Sequence, residues 1–199
     1  MSVYSLITRR RSIRRFKQTP ISFDILKKLV DAARLAPSAT NLQPLQYIIV
    51  DDKDQVNALF GHTQWARLLP NNSGRPAENQ QPVAFIVILA NKALETAWTN
   101  HDVGAAVENM ILTALEEGIG SCWIASVNRP YITETFHIPE NYKVDSVLGL
   151  GYPDEDPVAE PLPQSTDYYK DDKGRLHVPK RSLDEVLHHN GFQERGNTE

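Results

Sequence analysis

A single cysteine, Cys122, stands in a chain of 199 residues, which excludes an internal disulfide framework and fits a reducing compartment. No apolar run approaches the roughly 18 residues of a membrane span, and no apolar h-region follows the first residues. The chain is therefore expected to be cytoplasmic and not membrane-bound. Metal-ligand spacing is also missing: His188 and His189 are adjacent, while His62, His101, His137 and His177 stand apart, so no metal site is expected. There is no Gly-x-x-x-x-Gly-Lys-Ser/Thr phosphate loop. The pairs Gly118-Ile119-Gly120 and Gly149-Leu150-Gly151 lack the third glycine and the helix-opening context of a dinucleotide fingerprint, and read as turns. Cys122 lies in an apolar stretch and reads as a small buried hydrophobe, with no neighbouring base to make it a nucleophile.

Acidic residues are absent from one region in particular. Residues 1–17 hold six Arg/Lys and no Asp/Glu, whereas the rest of the chain carries 15 basic and 25 acidic residues. The positive charge is concentrated in "RRRSIRRFK", residues 9–17. A nucleic-acid binder spreads cations over a face to neutralise many phosphates, and the acidic remainder argues against that. A membrane-surface arm would need an apolar Trp/Leu-rich face, which this segment lacks. A small phosphate ligand fits better, against the alternative of a solvated charge run. In an extended segment Arg10, Ser12 and Arg14 share one side, offering two guanidiniums and a hydroxyl. Lys180-Arg181 precedes a helix start, where the dipole disfavours cations, and this pair is a candidate for the same anion.

Hydrophobic periodicity predicts a helix after Ser22 as N-cap, stopped by Pro37, then a polar loop over 38–44 and a strand in "LQYIIVDD". A brief helix in "DKDQVNALFGH" and a long loop over 68–82 follow. "VAFIVILA" (83–90) is apolar on both parities and reads as a central strand. Residues 99–118 form a long helix, with Asp102 explained by the helix dipole. Its Gly104, Ala105 and Ala106 would admit a second helix, either at a subunit contact or in the core. "SCWIASV" (121–127) reads as a strand, "RPYITETFH" as a helix opened by Pro130, "YKVDSVLGLGYP" as a strand, Asp172-Lys173-Gly174 as a hairpin or loop, and a helix starts at Ser182. Strands alternating with helices argue for one domain over 1–199, an α/β or α+β sandwich around one sheet.

"RRRSIRRF", "APSATNLQP", "HDVGAAVENMILTALEEGIGSCWIAS", "LGLGYP" and "PKRSLDEVLHHNGF", in that order, resemble the nitroreductase family of FMN-dependent oxidoreductases. The resemblance runs from residue 8 to about residue 192. It implies an α+β three-layer α/β/α sandwich with a central mixed, mainly antiparallel sheet, and a homodimer binding FMN at the subunit interface. It implies that the FMN phosphate is held by Arg10 and Ser12, with Arg11 adding a backbone or side-chain contact. Arg181 with Lys180 would reach it from across the site, and Arg14 would lie near the flavin N1/C2=O edge. Pro37, Ser38 and Asn41 would line the ring from the partner chain, with Gln43 bracing their loop. Ile124 and Ala125 would pack on one ring face, the Ala125 N–H bonding flavin N5, and Arg75 would be a second cation near the flavin edge. Leu45 and Ala125 depart from an aromatic and an acidic residue found in relatives, which changes the pocket wall. The implied activity is ping-pong reduction of nitroaromatics, quinones or related electron-poor acceptors by NADH or NADPH, requiring no catalytic side chain. The alternatives are a specialised relative (enone reductase, dehalogenase or flavin-modifying enzyme) and a non-catalytic FMN-binding protein.

Overall fold

In the computed structural model, which describes residues 2–70, 73–162 and 165–192, the chain packs as two units, Met1–Asp156 and Pro157–Glu199. The first runs α1 (Val3–Arg9), β1 (Phe16–Lys17), α2 (Phe23–Arg34), β2 (Leu45–Val50), α3 (Lys53–Gly61), β3 (Ala84–Asn91), α4 (Thr99–Glu116), β4 (Gly120–Ile124), α5 (Arg129–Thr135) and β5 (Tyr142–Pro153). The second holds β6 (Val158–Pro161), β7 (Tyr169–Lys170), β8 (Leu176–Lys180) and α6 (Leu183–Val186).

Because β3 is apolar on both parities, it can sit only where both sheet faces are covered. Residues 84–90 are all buried, and β2 and β5 flank the strand antiparallel. β5 in turn pairs antiparallel with β4 and β1. On one face Phe85, Val87 and Val147 meet Leu59 and Phe60 of α3 and Ile132 of α5. On the other, Ile86, Ile88 and Leu148 meet Leu26 and Leu29 of α2 and Val107 and Met110 of α4. The result is the expected α+β sandwich, helices on both faces of a mainly antiparallel sheet. Among the described residues its one parallel contact is the bridge between Ser12 and Ser121.

Several local expectations needed correction. Helix α1 carries a single buried residue, Leu6, so it has no apolar stripe to read; its signal is the Ser2 cap, whose side chain accepts from Ser5 N at 3.2 Å. β4 ends at Ile124 rather than residue 127. The glycine pairs are mostly strand, not turn. Gly118 alone is a turn residue, at φ 74° just past α4, while Gly120 opens β4 and Gly149 and Gly151 lie within β5. A Cβ on Gly120 would stand 2.8 Å from Ile13 Cγ1, and one on Gly151 2.8 Å from Phe16 Cβ. Both glycines are therefore seats for the side chains that follow the arginine run.

In the second unit β8 pairs parallel with β6 and antiparallel with β7. The turn at Asp172-Lys173-Gly174 joins β7 to β8, with Gly174 at φ 76°. Asp171 Oδ1 accepts there from Lys173 N at 3.0 Å and Arg175 N at 2.8 Å. Ser182 caps α6 in a capping box with Glu185, but the helix is a single turn with no buried residue to extend it. His177 ties the three strands together. Its Nδ1 lies 2.7 Å from Glu160 Oε2 and its Nε2 3.4 Å from Asp171 Oδ2, and its ring stacks on Tyr169 at 5.0 Å. The hydrogen bond to Glu160, then that to Asp171, raises the His177 pKa against desolvation.

Gly151→Ala is expected to destabilise the protein by about 1–3 kcal/mol through overpacking, read in urea unfolding. Gly104→Ala, where a Cβ meets nothing within 4 Å, is expected to show no such loss. The raised His177 pKa also fixes a pH dependence. Its stabilising contribution is full below the unfolded value of about 6.5 and disappears as pH rises through the folded value. An NMR titration of the imidazole should give a folded pKa above that reference, and His177→Gln should remove this part of the pH dependence.

Candidate functional site

Two apolar anchors hold the basic segment down. After α1, Arg10 N bonds Leu6 O at 2.9 Å and the chain extends, burying Ile13 and Phe16. Ile13 N donates to Ser121 O at 2.8 Å, Arg14 N to Glu155 Oε1 at 2.5 Å, and Asp154 N to Arg15 O at 2.9 Å. The side chains of Arg10, Arg11, Ser12 and Arg14 are all left half-buried. Arg10 Nε sits 3.7 Å from Glu108 Oε1. Arg11 folds back on the main chain, donating to Arg10 O and, at 2.8 Å, to Thr8 O. Burial first, and the Arg10 charge second, lower the Arg11 pKa. Arg11 is thus partly desolvated and within reach of the Arg10 charge, both effects that a nearby anion would relieve.

Pro37 is exposed and opens the second element, a loop hooked to α4. Ser38 Oγ donates to Asp102 Oδ2 at 2.9 Å and Ala39 N to Asp102 Oδ1 at 2.9 Å. Asn41 N bonds Ser38 O at 2.9 Å. Gln43 braces the loop as expected, its N donating to Ser38 Oγ at 3.0 Å and its Nε2 to Asn41 O at 3.3 Å. Thr40, Asn41 and Gln43 all hold positive φ, at 50°, 58° and 50°, which non-glycine residues adopt only under external constraint. Asp102, 6% exposed, supplies that constraint, so the helix dipole does not account for it alone.

The third element is the end of β4. Ile124 is buried in the core and Ala125 is exposed. Ala125 lines a cleft of about 470 Å³ with Gly61–Gln64 and Ser126–Arg129. His62 is stacked on Tyr131 at 3.5 Å beside it. Cys122, two residues earlier, is buried and its thiol is pushed up to about 11 by that burial, which leaves it inert as a nucleophile. Among the described residues no group of three His, Cys, Asp or Glu could hold a metal ion, and no helix is long and apolar enough to cross a membrane.

The fold brings some of these residues together and separates others. Ser12 and Ile13 join β4 at Ser121, and Ala125 follows four residues along, about 13 Å at strand rise. The basic segment and the β4 end therefore share one strand. The 38–43 loop and Arg10 both reach α4, but at Asp102 and Glu108. Six residues of helix separate these by about 9 Å of rise and about 120° of turn, so the two groups meet different sides of α4. Lys180 and Arg181 are exposed residues of the second unit, at the end of β8. Arg75 packs over the Phe60 ring at 4.1 Å and donates to Thr63 O at 2.9 Å and Phe60 O at 3.1 Å, so its guanidinium braces its own loop against α3.

Residues 7–152 match the family model described as "Nitroreductase family". A chain of Archaeoglobus fulgidus, with an inferred assignment as NADH dehydrogenase/NAD(P)H nitroreductase, is 36% identical over 159 residues, covering 76% of this chain and 85% of that one. A solved nitroreductase family protein from Clostridium novyi NT is 31% identical with a TM-score of 0.65, over 77% of this chain and 87% of that one. An FMN-dependent nitroreductase from Clostridium difficile R20291 is 26% identical with a TM-score of 0.66, over 95% and 99%.

Asp102→Ala strands two donors and is expected to lower stability by about 1–3 kcal/mol. Hydrogen exchange should localise the contact, the Ala39 amide losing more protection than the β3 amides, whose loss reports only the global change.

Proposed function

The chain belongs to the nitroreductase family, and from that premise we propose an FMN-dependent NAD(P)H oxidoreductase that reduces nitroaromatics, quinones or related electron-poor acceptors. Bound FMN would supply the redox chemistry, taking hydride at N5 from NADH or NADPH and delivering it to the acceptor in a ping-pong sequence. The chain's own residues bind and orient.

One observation carries the reading: Arg10, Arg11 and Ser12 lie half-buried in a segment fixed by the burial of Ile13 and Phe16. A phosphate dianion there accepts bidentate, charge-assisted hydrogen bonds and offsets the repulsion between the guanidiniums. Arg10 and Ser12 take the phosphate, Arg11 adds a contact, and the Lys180–Arg181 pair is a further candidate for the same anion. Arg14 holds positive charge near the N1/C2=O edge, where reduction builds negative charge. The Ala125 N–H bonds N5 while Ile124 supports the ring face from the strand end.

The ring's other neighbours are Pro37, Ser38 and Asn41 of a second copy, in a homodimer with FMN at the interface. One observation favours a shared site: this loop and Arg10 meet different sides of α4, at Asp102 and Glu108. The lone buried Cys122 is in keeping with a cytoplasmic setting.

A visible spectrum of the purified protein tests the reading. Flavin bands near roughly 370 and 450 nm should bleach on anaerobic NADH or NADPH and return with a nitroaromatic or quinone. Arg10→Ala with Arg181→Ala should weaken FMN binding at least about tenfold, and unchanged affinity would remove the phosphate assignment. A turnover panel of nitro, quinone and enone substrates identifies the acceptor class.

A further inference from the structure

β4 leaves the sheet at a defined point. Its last pair is Ile124 with Val147, although β5 runs back to Tyr142, so beyond Ile124 no ladder joins these two strands. One side chain bridges the opening. Arg129 donates from Nε to Val144 O at 3.0 Å, and from Nη2 to Asp145 O at 2.6 Å and Ala125 O at 3.1 Å. Val127 N donates to the same Ala125 O at 3.1 Å.

Helix formation does not explain this residue. Arg129 is the first residue of α5, the end at which the dipole disfavours a cation. Asn128 already caps the helix, its side chain accepting from Tyr131 N at 3.2 Å. A planar fork does explain it, because only guanidinium presents several donors in a fixed plane to carbonyls on two diverging strands. A side chain thereby ties the strand end to β5 where pairing with β5 has stopped, while Gln64 N donating to Ser126 O at 3.0 Å and Asn128 N to His62 O at 3.0 Å hold the next residues to the 62–64 segment. Ala125 and Ser126 remain exposed on the cleft that they share with His62 and Gln64.

We propose that Arg129 is a positioning residue for the flavin. Its fork holds the carbonyl of the Ala125–Ser126 peptide at the open end of β4, the unit that follows the Ala125 N–H, and so fixes the course of the chain from which that N–H is offered to the ligand. This rests on the assignment of the Ala125 N–H to flavin N5 made above. Arg129 touches neither cofactor nor substrate; it acts through the strand end, and the geometry of the fork matters rather than its charge.

The test loads the full-length protein with FMN carrying ¹⁵N at N5. In the wild type the N5 resonance should be displaced from its position in free FMN. Arg129→Gln and Arg129→Lys should each lose more than half of that displacement. FMN affinity should stay within about twofold, since the phosphate contacts are remote, and hydride transfer from NADH should slow about 10- to 100-fold. A wild-type resonance retained in Arg129→Lys would overturn the fork in favour of charge, and one retained in Arg129→Gln would remove Arg129 from the site. Loss of FMN binding in both variants would make Arg129 a residue of the fold and overturn the proposal. An undisplaced wild-type resonance would refute the Ala125 assignment itself, a failure visible before any substitution is made.

Discussion

Ile13 and Phe16 enter the sheet three residues apart, and each does so where a strand carries glycine instead of a larger residue. Six cations in nine positions repel one another, and nothing in their charge would lay them along a protein edge. Burial of two large apolar side chains, on the order of 1.5–3 kcal/mol each, does so here. The clearance left by Gly120 and Gly151 admits them to within 2.8 Å of where a Cβ would stand. From that seating follow the Ser12–Ser121 bridge, the bond from Arg14 N to Glu155 and the confinement of Arg10 beside Arg11. The proposed anion site is in this sense a consequence of core packing, its cations laid in place by hydrophobic contact.

Helix α4 organises the rest. Its Asp102 holds a loop in which three side-chain-bearing residues adopt left-handed backbone, and its Glu108 faces Arg10. Two carboxylates of one helix, on different sides, thus serve two separate pieces of the proposed site. That separation is easily reconciled with a site built from two copies of the chain, each giving its basic segment to one flavin and its loop to the other.

The elements that would meet the ring carry few reactive side chains. Cys122 is buried and protonated, and the residues at the end of β4 offer main-chain groups. Such an arrangement suits chemistry supplied by a cofactor, where the protein contributes orientation and a fixed field. It also explains why a guanidinium at the strand end, remote from any reacting atom, can matter.

Periodicity made the architecture legible. The double-parity run of β3, the Ser22 cap and the twelve-residue β5 are local signals, and they produced the elements they predict. The ordered motifs identified the family and the candidate arginines. Other features depended on contacts between residues distant in sequence. Helix α1 has one buried residue and so no stripe to detect. Gly120 and Gly151 look like turn glycines until Ile13 and Phe16 arrive from more than a hundred residues away. Asp102 resembles any acid at a helix start until the 38–43 loop closes onto it, and Arg129 resembles any surface arginine until three carbonyls converge on it. Composition and spacing determined the sheet, its helices and the charge of the site. Steric clearance and hydrogen-bond convergence, which exist only between folded segments, decided where that charge is held.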